Sequence, residues 1–552
     1  MIKYATSKAL ILASALVLSI GFSSCRKNKV IPEALAAPAS VPTGGNTKQT
    51  PTTNRLELSN DSLFLYAQQI YLWNTTLPTY DDFNPRMYKN FGTDLDNLNT
   101  ELFNITKYSG FETVPNANYS KFAFIAEENL SAGNLSIAQN QQANLGYQEI
   151  GNDLGILDLR GFGTSTNYKM YVMAVYRNSP ADLAGITRGT RITSINGRAI
   201  GTNVAAESGV INVLVDGLST TTVSCESTDG RAFEVTLNVA RYTGNPIFKA
   251  KVIDQGGKKI GYLAYAHFGV LTNANNANPS DSRLDPVFAS FAASGVTDLV
   301  IDLRYNGGGL VQSAEYILNQ IVPANSAGIL YQEVYNATMK NGQATILKNQ
   351  PLTDANGKIV YKNNGQMATY NDVDFRDAAN VRQVNKKGPL TGVKNIVFLV
   401  TEFTASASEL LINGIKPYVQ SVQLIGRKTY GKPVGFFPIV IANRYSVYLP
   451  SFEIKNKNGD GGYYNGITPN YIEDPNIGLI DDNRYDFGDP RESYLNKALS
   501  LLAPVAPAAL SSLSTLSGPT ARVAAAKSMP MNRTHANISG TGMIETRYQL
   551  KN

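Results

Sequence analysis

Histidine is almost missing from this chain. Only His267 and His535 occur in 552 residues, and neither lies in a context that resembles a member of a Ser-His-Asp triad. Cysteine is as scarce, Cys25 and Cys225 alone. That excludes a disulfide-stapled scaffold and a cysteine-built metal site. Trp73 is the single tryptophan, and no aromatic platform for a glycan stands out. The net charge of +6 is spread along the chain. Lys/Arg clusters with interleaved aromatics are lacking, which argues against a nucleic-acid binder. The apolar run Ala9–Phe22 follows Lys3 and Lys8 and precedes Ser23-Ser24-Cys25. It is short for a membrane span and reads as an export signal over residues 1–25.

Against these absences stands one stretch, Asn395 to Lys432. Its run Ile396–Val400 is short and rich in branched residues, as a strand buried on both faces reads. Thr404-Ala405-Ser406-Ala407-Ser408-Glu409 turns the chain into Leu410, Leu411, Ile412 and Ile415, which share a helix face. A serine at that corner stands clear of the sheet beside unpaired helix-start N–H groups that can stabilise an oxyanion. Serine needs a base. With histidine nearly excluded, Lys432 is the candidate, arriving after the strand Val422–Ile425; a buried lysine can titrate near neutrality. Taken singly, Ser406 also reads as a helix cap and Lys432 as a surface charge. Upstream, the buried-type strand in Thr297–Leu303 runs into Gly307-Gly308-Gly309 and a helical pattern from Leu310. This reads as an oxyanion-binding loop or as an ordinary tight turn.

Together, Asp302-Leu303-Arg304-Tyr305-Asn306-Gly307-Gly308-Gly309, Thr404-Ala405-Ser406-Ala407-Ser408-Glu409 and Thr429-Tyr430-Gly431-Lys432 resemble the tail-specific, or C-terminal processing, serine peptidases. The resemblance implies Ser406 as nucleophile and Lys432 as general base. It implies an oxyanion hole from the Ala407 N–H and that of Gly308 or Gly309. It also implies a crotonase-like α/β peptidase core. Many members carry glutamine four residues beyond the lysine, where this chain has Phe436. Glu409 is left as a candidate support for the dyad or a structural cap.

Residues 26–54 read as a disordered linker rich in Pro, Ala, Thr and Asn. The signal resembles that of bacterial lipoproteins, with Cys25 as the lipidated residue and the cell envelope as location. Residues 55–146 read as a helical domain. Leu63, Ala67, Ile70 and Tyr71 lie on one face after the cap candidates Asn60 and Asp61, with Leu95, Leu98, Leu102 and Ile105 as a second set and Trp73 in the core. Over 147–243, Ser179-Pro180-Ala181-Asp182-Leu183-Ala184-Gly185-Ile186 and Ile195-Asn196-Gly197 resemble a protease-associated PDZ domain. That resemblance makes Leu154, Gly155, Ile156 and Leu157 its carboxylate-binding loop; a PDZ-like spacer is the other reading.

Residues 244–505 alternate strands and helices, as an α/β core does. Asn341-Gly342, Asn356-Gly357 and Asn364-Gly365 are expected to turn hairpins inserted into it. Asn458–Pro469 reads as a turn and not a calcium loop. Residues 506–552 read as a low-complexity, mobile tail that could itself be bound or trimmed.

The expectation is a multidomain α/β serine endopeptidase, lipid-anchored to the membrane, acting on protein or peptide substrates through an acyl-enzyme. It needs no metal and no cofactor, and nucleic acid is not a partner. A non-catalytic peptide-binding or scaffold lipoprotein of the same architecture is the alternative.

Overall fold

The structure, a computed structural model, describes residues 48–115, 117–127, 149–217, 219–275, 278–354, 358–504, 528–529, 543–545 and 547–551. The export signal with Cys25, most of the 26–54 linker, His535 and most of the 506–552 tail lie outside the described residues.

The branched runs form one six-stranded sheet, in the order Ile247–Gln255, Lys258–Tyr265, Asp298–Asp302, Asn395–Val400, Ser421–Gly426 and Tyr471–Ile472. All pairings after the first are parallel. Side chains of a strand alternate between faces, and here both faces are covered. Leu299, Ile301, Ile396, Phe398 and Val400 pack with the helices Val311–Ile321 and Ala407–Ile415. Val300, Val397, Leu399 and Ile425 pack with the helix Ser493–Leu502. Two-sided burial explains why these strands read as continuous apolar runs.

A five-stranded sheet, Val381–Gln383, Ile329–Tyr335, Phe452–Asn456, Val434–Phe436 and Met543–Ile544, stands beside the first. The inserted region carries antiparallel bridges Thr353↔Ile359 and Tyr361↔Met367 around two of the expected turns; the Asn356-Gly357 turn residues themselves are outside the described set. Asn341-Gly342 does something else: it ends the short helix Ala337–Lys340, with Gly342 at φ 69°. A left-handed glycine serves a helix end as well as a hairpin.

The N-terminal helices are Arg55–Ile70 and Asp94–Thr106. The first starts earlier than expected. Asn54 caps it by accepting from Leu56 and Glu57 N–H, while Asn60 and Asp61 are buried mid-helix. There Asn60 Nδ2 donates to the Tyr88 carbonyl at 2.9 Å and Asp61 pairs with Arg86 at 2.6 Å. Nor is this region purely helical. Phe124–Glu127 is a strand on Tyr445–Tyr448 of the core, forming a three-stranded sheet with Ile439–Ile441. Phe122–Ala126 is an aromatic and branched run, the composition of strands.

The PDZ-type sheet runs Ser528–Met529, Ile156–Thr164, Asn167–Val175, Arg191–Ile195, Thr221–Glu226 and Ala232–Leu237, with the helix Val204–Asp216 on it. The expected mobile tail is thus seated at two places, on this sheet and on the five-stranded one. Residues 543–545 and 547–551 are held by main-chain pairing and by buried charge: Glu545 is 1% exposed and bonded to Arg547 at 3.0 Å.

Candidate active site

The loop after Asp302 is fixed at its base by charge. Arg304 is 1% exposed, bonded to Asp302 at 2.6 Å, Asp481 at 2.7 Å and Glu492 at 3.0 Å. Asn306 then sews the loop to the serine turn. Its Nδ2 donates to the Tyr265 carbonyl at 3.0 Å, and its own carbonyl accepts from Ser408 Oγ at 3.0 Å and Ala405 N–H at 3.3 Å. Gly308, at φ 109°, lies against Ser406: a Cβ there would come 2.7 Å from Ser406 Cβ and 2.9 Å from the Ala405 carbonyl. Gly309, at φ 140°, is as tight against the Phe268 carbonyl. Both positions therefore need glycine for backbone conformation and for close approach.

Ser406 sits between the strand Asn395–Val400 and the helix Ala407–Ile415, with φ 61° and ψ −116°. That is a conformation a non-glycine residue holds only when its surroundings force it, at a cost of about 1–3 kcal/mol, and it clusters at functional sites. Thr404 Oγ1 donates to the Leu303 carbonyl at 2.8 Å and accepts from Thr401 N–H at 3.0 Å, bracing the turn. The Ser406 hydroxyl is buried and, among the described residues, has no hydrogen-bond partner.

Glu409 is the fastener. One carboxylate oxygen accepts from Ser406 N–H at 2.9 Å and from Lys432 N–H at 2.7 Å. The other accepts from Gly431 N–H at 2.8 Å and Thr429 Oγ1 at 2.5 Å. Two segments far apart in sequence thus meet on a single buried side chain. Burial raises the Glu409 pKa, against the pull of these donors.

Lys432 is fully buried. Its ammonium lies 4.7 Å from the centre of the Phe436 ring and 5.8 Å from that of Phe124. Burial pushes its pKa down to about 7, opposed by the nearby charges of Glu112 and Glu409. Phe436, the departure from the family pattern, is therefore a wall of the lysine pocket. Aromatic faces attract an ammonium and at the same time exclude water. Glu112, in turn, is lifted by burial to about 7, although Tyr71 Oη (2.7 Å), Phe122 N–H (3.1 Å) and Ala123 N–H (2.9 Å) all donate to it.

The structure therefore brings Ser406, Ala407, Gly308, Gly309, Glu409 and Lys432 into one buried cluster. Two details bear on the chemistry. Among the described residues Ser406 Oγ meets no hydrogen-bond partner. The Gly308 N–H is donated to Asn306 Oδ1 at 2.9 Å, which ties it to its own loop. Glu112 and Phe124 were missed by sequence reasoning, because they come from the region read as helices; the Phe122–Ala126 run was the one available signal. His267 is buried 3.9 Å from Glu149.

The expected carboxylate loop is also partly engaged. Leu154 N–H donates to the Gly217 carbonyl at 3.0 Å and Gly155 N–H to Asp153 Oδ1 at 2.6 Å. Ile156 opens the PDZ strand, and Leu157 packs against the core domain. Beside it a buried ion network joins the two domains. Arg188 contacts Asp481 at 2.7 Å and Tyr305 Oη at 2.7 Å, and Arg160 reaches Asp481 at 3.4 Å. Burial opposes ionisation of Asp481, but Arg304, Arg188 and Arg160 hold its pKa well below the usual carboxylate range.

Comparison with known proteins gives a consistent picture. Residues 259–472 match the family model of Peptidase family S41 and residues 171–207 that of the PDZ domain. A carboxyl-terminal-processing peptidase 1, chloroplastic, from Arabidopsis thaliana is 26% identical over 271 residues, 48% of this chain and 44% of the relative. A probable CtpA-like serine protease from Staphylococcus aureus is 25% identical over 268 residues, 49% of this chain and 42% of the relative. The chain thus spans less than half the length of these curated relatives. The crystal structure of a putative S41 protease from Bacteroides fragilis superposes with a TM-score of 0.53 at 23% identity, over 80% of this chain and 96% of that one, a likeness of fold.

Proposed function

We propose, for a chain whose residues 259–472 belong to peptidase family S41 and whose residues 171–207 belong to the PDZ domain family, that it is a serine endopeptidase of the C-terminal processing type. Ser406 attacks the peptide carbonyl while the neutral Lys432 amine takes the hydroxyl proton. The resulting ammonium protonates the departing amine, and water then hydrolyses the acyl-enzyme. The Ala407 N–H at the helix start and the glycine loop are the oxyanion donors. Of the loop amides Gly309 is the better candidate, because Gly308 is already bonded to Asn306.

The observation that carries this reading is Glu409 receiving the main chains of both Ser406 and Lys432, with the lysine pKa near 7. Glu409 acts as a positioning residue. The PDZ domain supplies an edge for an extended peptide substrate. Labelling with a fluorophosphonate probe tests the assignment: wild type is expected to react at Ser406, and Ser406→Ala and Lys432→Ala are expected not to. An unlabelled wild-type chain that still binds peptides would replace the enzyme with a scaffold.

The run Ala9–Phe22 and Cys25 support a lipid-anchored location in the bacterial cell envelope. Incorporation of a clickable palmitate analogue, lost in Cys25→Ala, is the expected result; no incorporation would remove the anchor.

A further inference from the structure

The strand Met543–Ile544 lies between the two halves of the site. It pairs in parallel with Gly435–Phe436, the strand that carries the lysine-pocket wall, in the register Gly435↔Met543 and Phe436↔Ile544. On its other side Ile544 bridges Leu310, the residue after Gly309. The Ile544 side chain is buried in a cluster with Phe124, Leu310, Val434, Phe436 and Tyr448, which includes both rings that face Lys432. An extended segment is therefore inserted between glycine loop and lysine strand, making main-chain pairs that any peptide could make.

Its anchoring continues downstream. Glu545 bonds Arg547 at 3.0 Å and Arg382 at 3.4 Å, and Arg547 bonds Glu315 at 2.9 Å. Gln549 and Lys551 pair through their main chains with Asp374 and Asp372, at 2.9 and 2.8 Å. The same part of the chain holds a second peptide edge. Ser528–Met529 adds antiparallel to Ile156–Thr164 at Phe162 and Gly161, running toward the Leu154–Leu157 loop, which is how a PDZ domain takes a peptide strand.

We propose that the strands Ser528–Met529 and Met543–Ile544, the latter anchored through Glu545 and Arg547, form an intramolecular cap that occupies both peptide tracks, resting on the peptidase reading above. A substrate reaches Ser406 only when Met543–Ile544 lifts from between Leu310 and Phe436. Tethering gives the cap a high local concentration, so weakly held peptides are excluded and tightly held ones displace it. The zero exposure of Ser406 and Lys432 is then the capped state of the enzyme.

The test compares rates of fluorophosphonate labelling at Ser406 in three proteins: the full chain, a chain ending at Gly542, and the full chain with Val373→Cys and Leu550→Cys. The last pair faces across an antiparallel bridge remote from the serine, and a disulfide there holds the strand down. Removal of the strand is expected to speed labelling at least about ten-fold, the loss of a tethered competitor. A synthetic peptide of sequence 543–551 should slow it again. Oxidising the double-cysteine chain should slow labelling, and reductant should restore it. Should the shortened chain fail to fold by circular dichroism, the locked full chain decides alone. Equal rates with and without the strand or the lock overturn the cap and leave the peptidase. No labelling in any form overturns the peptidase reading and the cap with it.

Discussion

On the proposed mechanism Lys432 accepts the Ser406 proton, which only its neutral amine can do. Burial among Phe124 and Phe436 brings the group down to about 7, and the negative charge of Glu112 works in the opposite direction. Burial lifts Glu112 to about 7 as well, so its charge and that of Lys432 change over the same pH range and the acid limb reports on both. The kcat/KM for peptide hydrolysis is expected to rise with pH through about 7. Glu112→Gln removes the charge that favours the ammonium. The limb should therefore move to lower pH, with activity above pH 8 little changed, which a pH–rate profile will read. A limb that stays in place, or moves up, would show that Glu112 does not face the amine electrostatically.

At the scale of elements, strand-to-helix units buried on both sides were legible in the sequence, because their side chains answer to one environment. Leu299–Ile301 and Ile396–Val400 are apolar runs for that reason, and the turns that follow them lead to the glycine loop and to Ser406. What failed were signals that two structures share. Asn341-Gly342 fits a hairpin and a helix end alike. Asn60 fits a cap, yet Asn54 takes that role and Asn60 bonds the Tyr88 carbonyl. The lysine's surroundings were illegible because they are contributed by Phe124 and Glu112, hundreds of residues upstream, and spacing says nothing of such contacts. Nor did sequence show how the glycine loop is held. Tyr305 Oη accepts from Arg188 of the PDZ-type domain and donates to Asp481, so the loop base is shared between domains. Arg188→Ala leaves Asp481 short of one partner in a buried site. Breaking such a buried pair costs about 3–5 kcal/mol, and chemical denaturation should show a loss of that size. Activity should fall as well, since Tyr305 adjoins Asn306, which holds the serine turn. A stability change below about 1 kcal/mol, the range of an exposed pair, would contradict this account.

Across the whole molecule the site is assembled from parts that a linear domain map separates. The core supplies Ser406, Glu409 and Lys432, the N-terminal region Glu112 and Phe124, and the late segment Ile544. The strand Phe124–Glu127 enters the core's own sheet through Tyr445–Tyr448, so the helical region is a structural part of the lysine pocket. Its Phe124 ring stacks on Tyr448 at 4.4 Å and lies edge-on to Phe436 at 6.0 Å. Phe124→Ala would open a cavity there at a cost of about 3–5 kcal/mol, and water admitted to it would solvate the ammonium. Desolvation is the largest cause of the lowered lysine pKa, so the pKa should rise back toward the ordinary lysine value and the acid limb should move to higher pH. That shift is opposite in sign to the one expected for Glu112→Gln. Turnover at pH 7 should then fall more than turnover at pH 9, and raising the pH should recover part of the loss. A loss equal at both pH values would mean that Phe124 acts through stability alone and that water does not reach Lys432 when the ring is gone.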